Sequence, residues 1–164
     1  MHKSHLQKVE DYVLSILTER TLIPNTYHSL DHTKDVVQAG IEIGIGEKLT
    51  PDEMEMIQIA AWFHDLGYID KTEGHEEISA MYASNFLSDD NYPSDRIDTI
   101  IGCILATKIP QNPKNKLENI ICDADLNHIS RKIFFERNDK FRLEHENHAH
   151  RKLSDYEWIT KTID

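Results

Sequence analysis

Thr50-Pro51-Asp52-Glu53-Met54-Glu55-Met56-Ile57-Gln58-Ile59-Ala60-Ala61-Trp62-Phe63-His64-Asp65-Leu66-Gly67 is the stretch whose reading decides the fold. It opens as a helix, with Thr50 as N-cap, Pro51 at the first helical position and Glu53 three residues after the cap. It becomes apolar over residues 59–63 and then finishes on two ionisable side chains, His64 and Asp65. Isolated buried charge is costly unless it is paired or metal-bound, so the doublet calls for a partner. Leu66-Gly67 reads as the helix stop, with the glycine expected in the left-handed conformation. His64 and Asp65 stand about 100° apart on an ideal helix and do not share a face, yet both can reach an ion beyond the helix end.

The flanking sequence has the same helical character. Leu6, Val9, Val13, Leu14, Ile16 and Leu17 recur at helical spacing through residues 3–20, and Pro24-Asn25 breaks the pattern. A second helix is expected from Ser29-Leu30-Asp31 through Val36, Val37, Ala39 and Ile43 to the Gly44 and Gly46 region. After a turn at 67–74, a helix over about 75–87 turns Ile78, Met81, Tyr82 and Phe86 inward. Pro93 opens another, with Ile97, Ile100, Ile101, Ile104 and Leu105 inward. Residues 109–116 contain Pro110 and Pro113 and read as a loop. Residues 117–129 resume the helical pattern, 130–143 continue or restart it, and Ser154-Asp155-Tyr156-Glu157 begins a last helix. No period-2 strand and no internal repeat is visible. The expected fold class is all-α, with roughly six to eight helices.

A chain of 164 residues suits one domain, 1–164, with room for a core that needs no disulfide or structural zinc. Lys and Arg total 18 against 29 Asp and Glu, a formal charge of −11. That balance argues against nucleic-acid partners, which are bound by neutralising phosphates, but leaves room for a small phosphorylated ligand held by a metal and a few local cations. Cys103 and Cys122 lack CxxC spacing, lie in apolar segments and read as buried thiols of a reducing compartment. Met1-His2-Lys3-Ser4-His5 is followed by no apolar signal region, and no stretch approaches the ~18 apolar residues of a membrane span. A cytoplasmic location without membrane contact is expected, and a homo-oligomer is compatible with the sequence.

Three separated segments carry metal-ligating side chains in apolar settings: His32, the His64-Asp65 doublet, and the pair Asp123 and Asp125. Imidazole and carboxylate without thiolate suit first-row divalent metals. Asp123 and Asp125 project about 200° apart on a helix, so only one of them faces an ion. Each residue alone has a plainer reading, as a hydrogen-bonded polar group on an amphipathic helix. Glu144-His145-Glu146-Asn147-His148-Ala149-His150 holds three histidines but lacks apolar support, and reads as a solvated segment.

The blocks Tyr-His-x-x-x-His-Thr-x-x-Val (27–36), Ala-Ala-Trp-Phe-His-Asp-Leu-Gly-Tyr (60–68), His-Glu-x-x-Ser-Ala (75–80) and Asp-Ala-Asp-Leu (123–126) resemble the HD-domain metal-dependent phosphohydrolases. The likeness spans roughly residues 5–130, leaving C-terminal helices over 130–164. It implies a compact helical bundle whose divalent ion is held by His32, His64, Asp65 and Asp125, with Asp123 in an outer position. It also implies catalytic roles for His64 and Asp65. Segments 103–108 and 123–128 look like a bacterial subgroup of such proteins, some of which continue into a membrane module linked to cyclic-nucleotide signalling. A last helix that has only begun at Ser154 would suit a longer or shortened chain of that kind.

The implied reaction is hydrolysis of a phosphate ester or anhydride, of a nucleotide or related small molecule, by a metal-activated water. Mn, Fe, Mg or Ni is expected ahead of Zn, given mixed N/O ligands and an open position. Lys34, Lys71 and Lys108 are the cations available for phosphate, each with a plainer reading as a solvated lysine. His28, His75, Glu76 and His128 are candidates for proton transfer, ligand support or a second ion. One alternative is a regulatory nucleotide-binding module without turnover. Another is a di-iron oxygenase, for which His75 and Glu76 would be further ligands.

Overall fold

The computed structural model describes residues 3–20, 27–130 and 134–163. In chain order these form α1 (His5–Arg20), α2 (Leu30–Gly46), α3 (Pro51–Phe63), a 3-10 turn (Leu66–Ile69), α4 (His75–Asp89), α5 (Ser94–Ala106), α6 (Lys116–Asp125), a second 3-10 turn (Leu126–Ser130), α7 (Phe134–His148) and α8 (Asp155–Ile163). The class is all-α, with no strand among the described residues.

The centre of the bundle is α3, which packs against α1, α2, α4, α5 and α6. Its sequence explains the position: Met56, Ile57 and every residue from Ile59 to Phe63 are buried, and a helix apolar all round belongs inside. The expected capping box forms, with Glu53 N donating to Thr50 Oγ1 and Thr50 N donating to the Glu53 carboxylate. Val9 and Val13 of α1, Val36 and Ala39 of α2, Ile100 and Ile104 of α5, and Ile120 and Ile121 of α6 close the core around it.

The closeness of α2 to α3 sets the site. A Cβ on Gly40 would lie 2.9 Å from Ile57 Cγ2, so the bare backbone of α2 rests on α3. His32 lies about 12 Å along α2 from that contact, and His64 about 10.5 Å along α3. Because the two helices run antiparallel, both histidines arrive at the same end of the bundle.

Four expectations are corrected. Gly67 is not left-handed; among the described residues the positive-φ glycine is Gly74, at 75°. Met81 and Leu105 point outward, 53% and 38% exposed, whereas α4 buries Ser79, Ala80, Ala83 and Leu87. The small side chains at 79, 80 and 83 let the preceding 3-10 turn and α5 approach α4. The pattern over 117–129 is not one helix: α6 ends at Asp125 and tightens into a 3-10 turn. The run 144–150 is solvated only in part: Asn147, Ala149 and His150 are exposed, but Glu144 on α7 is only 1% exposed. Cys103 and Cys122 are free and buried, as expected. No helix among the described residues is long and apolar enough to cross a membrane.

Candidate metal centre

Four side chains from α2, the end of α3 and the end of α6 converge. His32 Nε2 lies 3.4 Å from His64 Nε2, 3.3 Å from Asp65 Oδ2 and 3.2 Å from Asp125 Oδ1. His64 Nε2 lies 3.1 Å from Asp65 Oδ2 and 3.7 Å from Asp125 Oδ1. Around an ion with bonds of about 2.1 Å, neighbouring ligand atoms stand about 3.0–3.5 Å apart, so this spacing fits one divalent cation. His32, His64 and Asp125 each offer one ligand atom, all within 4.8 Å of one another. Asp65 Oδ2 is buried and makes no hydrogen bond, an orphaned lone pair aimed at the point the histidines face. Two carboxylates also match the charge of one divalent ion.

Local structure prepares each donor. Ser29 caps α2 by accepting from His32 N, which fixes His32 in the first turn. His64 Nδ1 donates to Ala61 O at 2.8 Å, leaving the Nε2 lone pair free for a ligand. Asp65 is oriented from its far side by His75 Nε2, 3.2 Å from Oδ1, while His75 Nδ1 donates to Thr72 O at 2.8 Å. Gly67 makes that contact geometrically accessible. A Cβ there would lie 2.3 Å from His75 O and 2.8 Å from Ser79 N, and Gly67 N donates to Ser79 Oγ at 2.8 Å. The glycine is therefore required for close approach, not for its φ.

In the protein alone, burial pushes the His32 imidazole down, but Asp125 and Asp65 outweigh it and raise it to about 10. Burial acts the same way on His75, and Asp65 is the main group that raises it to about 9. Burial would raise Asp65, yet His64 and His28 hold its carboxyl well below the usual range. Tyr27, buried and tilted 31° against the His32 ring at 4.8 Å, is pushed far up by burial and then by Asp125 and Asp65, so its hydroxyl remains a donor.

The other expected residues are spread more widely. Asp123 is exposed on α6, on the opposite face from Asp125. Lys34 and Lys71 are exposed, and Lys108 pairs with Glu77 beside a groove of about 360 Å³ that no member of the cluster lines. Glu76 is buried, 3.6 Å from His75 Nε2. His128 Nδ1 lies 3.3 Å from Asp125 O, and burial lowers its pKa. His28 stacks on Tyr68 at 3.8 Å and bonds the Glu144 carboxylate through Nδ1.

Three residues around the cluster carried no sequence expectation as site groups: Tyr27, Glu144 and Arg137. Glu144 Oε2 accepts from Tyr27 N at 2.8 Å and His28 N at 3.1 Å, anchoring the segment that leads into α2. Arg137 pairs with Asp35 of α2. Arg137, Phe141 and Glu144 lie at i, i+4 and i+7 on α7, the one pattern that could have singled them out.

Two solved structures share this architecture. One, a predicted HD superfamily hydrolase from an uncultured Thermotogales bacterium, has a TM-score of 0.66 at 22% identity, over 80% of this chain and 75% of that one. The other, a protein from Lactobacillus plantarum, has a TM-score of 0.66 at 20% identity, over 94% and 68%. No curated protein matches the chain. The family model for the HD domain matches residues 27–129, a span that contains His32, His64, Asp65 and Asp125 and most of the helices that position them; the chain belongs to the HD domain family.

Proposed function

We propose that this protein is a metal-dependent phosphohydrolase that cleaves a phosphate ester or anhydride of a small molecule of the nucleotide class. The observation that carries the reading is Asp65 Oδ2, buried without a hydrogen bond between two imidazole Nε2 atoms. His32, His64, Asp65 and Asp125 would hold the ion. When bound, a divalent cation supplies an acidified water, with a pKa lowered toward about 7, and polarisation of a phosphoryl oxygen.

The chain's own groups do the rest. His64 presents Nε2 because Ala61 O takes its other proton. His75, protonated at neutral pH, holds its Nε2 proton against Asp65 Oδ1 and so fixes the plane of that carboxylate. The Tyr27 ring lies 4.8 Å from that of His32, and both histidines of the cluster are buried, which strengthens the charge interactions at the centre. The donor set, nitrogen and carboxylate oxygen without thiolate, favours Mn, Fe, Mg or Ni over Zn. Cys122 is diverted from the centre, its Sγ donating to Ala106 O.

The test is a phosphate-release screen over nucleotides and small phosphate esters with Mn²⁺, Mg²⁺ and Ni²⁺. Release that needs the metal and falls at least about 100-fold in His64→Ala and Asp125→Ala supports the reading. Variants that keep both metal and full activity would sink it. Tight nucleotide binding without release would turn the assignment to a regulatory module.

A further inference from the structure

Among the described residues, Arg137 is the one Lys or Arg that is buried, at 8% exposure. One of its terminal nitrogens, Nη2, pairs with Asp35. The other, Nη1, is buried and has no hydrogen-bond partner. An unpaired guanidinium N–H out of water is costly, and the Asp35 pair does not account for it. The Asp35 side chain is 53% exposed, so that pair could form at the surface without burying the guanidinium.

Arg137 lines a cavity of about 40 Å³ together with His32, Asp125, Asn127 and His128. Two walls of this cavity are thus members of the metal cluster and a third is a cation. The volume suffices for an oxygen-sized group, which needs about 10–15 Å³. Guanidinium donors match the oxygens of phosphate in geometry and charge. The lysines do not supply this charge, since Lys34 and Lys71 are exposed and Lys108 is paired with Glu77.

We infer that Arg137 Nη1 binds a phosphoryl oxygen of the substrate in this cavity, so that α7 supplies the phosphate-recognition group of the centre. The inference rests on the phosphohydrolase reading for its substrate, and adds a residue that lies outside the matched span.

The experiment is calorimetric titration of Mn²⁺-loaded protein with inorganic phosphate, for wild type, Arg137→Met and Arg137→Lys. Metal content and melting temperature are measured for each, and KM and kcat on any ester that wild type hydrolyses. Arg137→Met is expected to weaken phosphate binding about 10- to 100-fold with metal content unchanged, and to raise KM alongside. Arg137→Lys keeps a charge for Asp35 but lacks the second terminal nitrogen of the guanidinium fork, and should recover only part of the affinity. Unchanged phosphate affinity and KM in a folded, metal-loaded variant overturns the inference, as does a wild type that binds no phosphate. Should Arg137→Met fail to fold, Arg137→Lys decides by the same criterion. A wild type that binds phosphate through Arg137 but releases none from any ester overturns the hydrolase reading and leaves the anion site standing.

Discussion

Replacing Gly67 by alanine tests how the fold aims Asp65. The new Cβ would stand 2.3 Å from His75 O, 2.7 Å from Ile78 Cβ and 2.8 Å from Ser79 N. A carbon beside a carbonyl oxygen needs about 3.3 Å, so the turn and the start of α4 must separate by about 1 Å. Two of the three obstacles are backbone, which leaves no flexible side chain to yield. The separation stretches the 3.2 Å contact between His75 Nε2 and Asp65 Oδ1 and strains the Gly67 N to Ser79 Oγ bond. Overpacking of this kind costs about 1–3 kcal/mol. For a chain of this size that lowers the melting temperature by about 3–10 °C. Losing the group that orients a ligating carboxylate should weaken metal binding about 10- to 100-fold. The assays are thermal unfolding of the metal-free protein and Mn²⁺ titration. Gly46→Ala is the control: nothing lies within 4 Å of its Cβ, so stability should hold or rise. A Gly67→Ala protein that melts within about 1 °C of wild type and binds Mn²⁺ equally would refute the reasoning.

Three further outcomes follow from the same geometry. Glu144→Ala leaves the N–H groups of Tyr27 and His28 without their acceptor and removes the partner of the His28 ring, so stability should fall by about 2–5 kcal/mol, read by urea unfolding. Metal must displace the proton on His32, whose pKa is raised to about 10, so apparent Mn²⁺ affinity should rise about tenfold per pH unit from pH 6 to 8; a flat profile argues that no proton leaves. Without metal, the raised pKa values of His32 and His75 add stability that is fully present below their ordinary value of 6.5 and lost as pH rises through about 9 to 10. The metal-free melting temperature should therefore drop between about pH 7 and 10, and the drop should shrink in His75→Gln.

The parts legible in the sequence are those set by local chemistry. The Thr50-Glu53 capping box and the apolar run after it mark α3 and its central place. Ser29 marks the start of α2, whereas the Asn115 cap of α6 lies in a segment whose two prolines read as a loop. Helical spacing brings out His32, the His64-Asp65 doublet and the Asp123/Asp125 pair as candidate ligands, and the resemblance to the HD-domain family is what singles out Asp125. What was hidden depends on distant partners. Glu144 meets Tyr27 across 117 positions, and neither its polar neighbours nor the low apolar content of α7 announces a buried acid. Gly67 departs from the left-handed expectation because one letter serves both a left-handed turn and a close backbone approach, and only the packing of the turn on α4 tells them apart. The hydrophobicity of Met81 points it inward, whereas the tight approach to α4 selects the small side chains at 79, 80 and 83.

Metal binding by the four convergent side chains is the property on which the proposed function depends most directly. Elemental analysis of protein purified without chelators, then dialysed against Mn²⁺, measures this directly for wild type, His32→Ala and Asp125→Ala. Bound divalent metal is expected in wild type, with its loss in both variants while the fold persists. A wild-type protein that takes up no metal, or variants that retain as much as wild type, would contradict it.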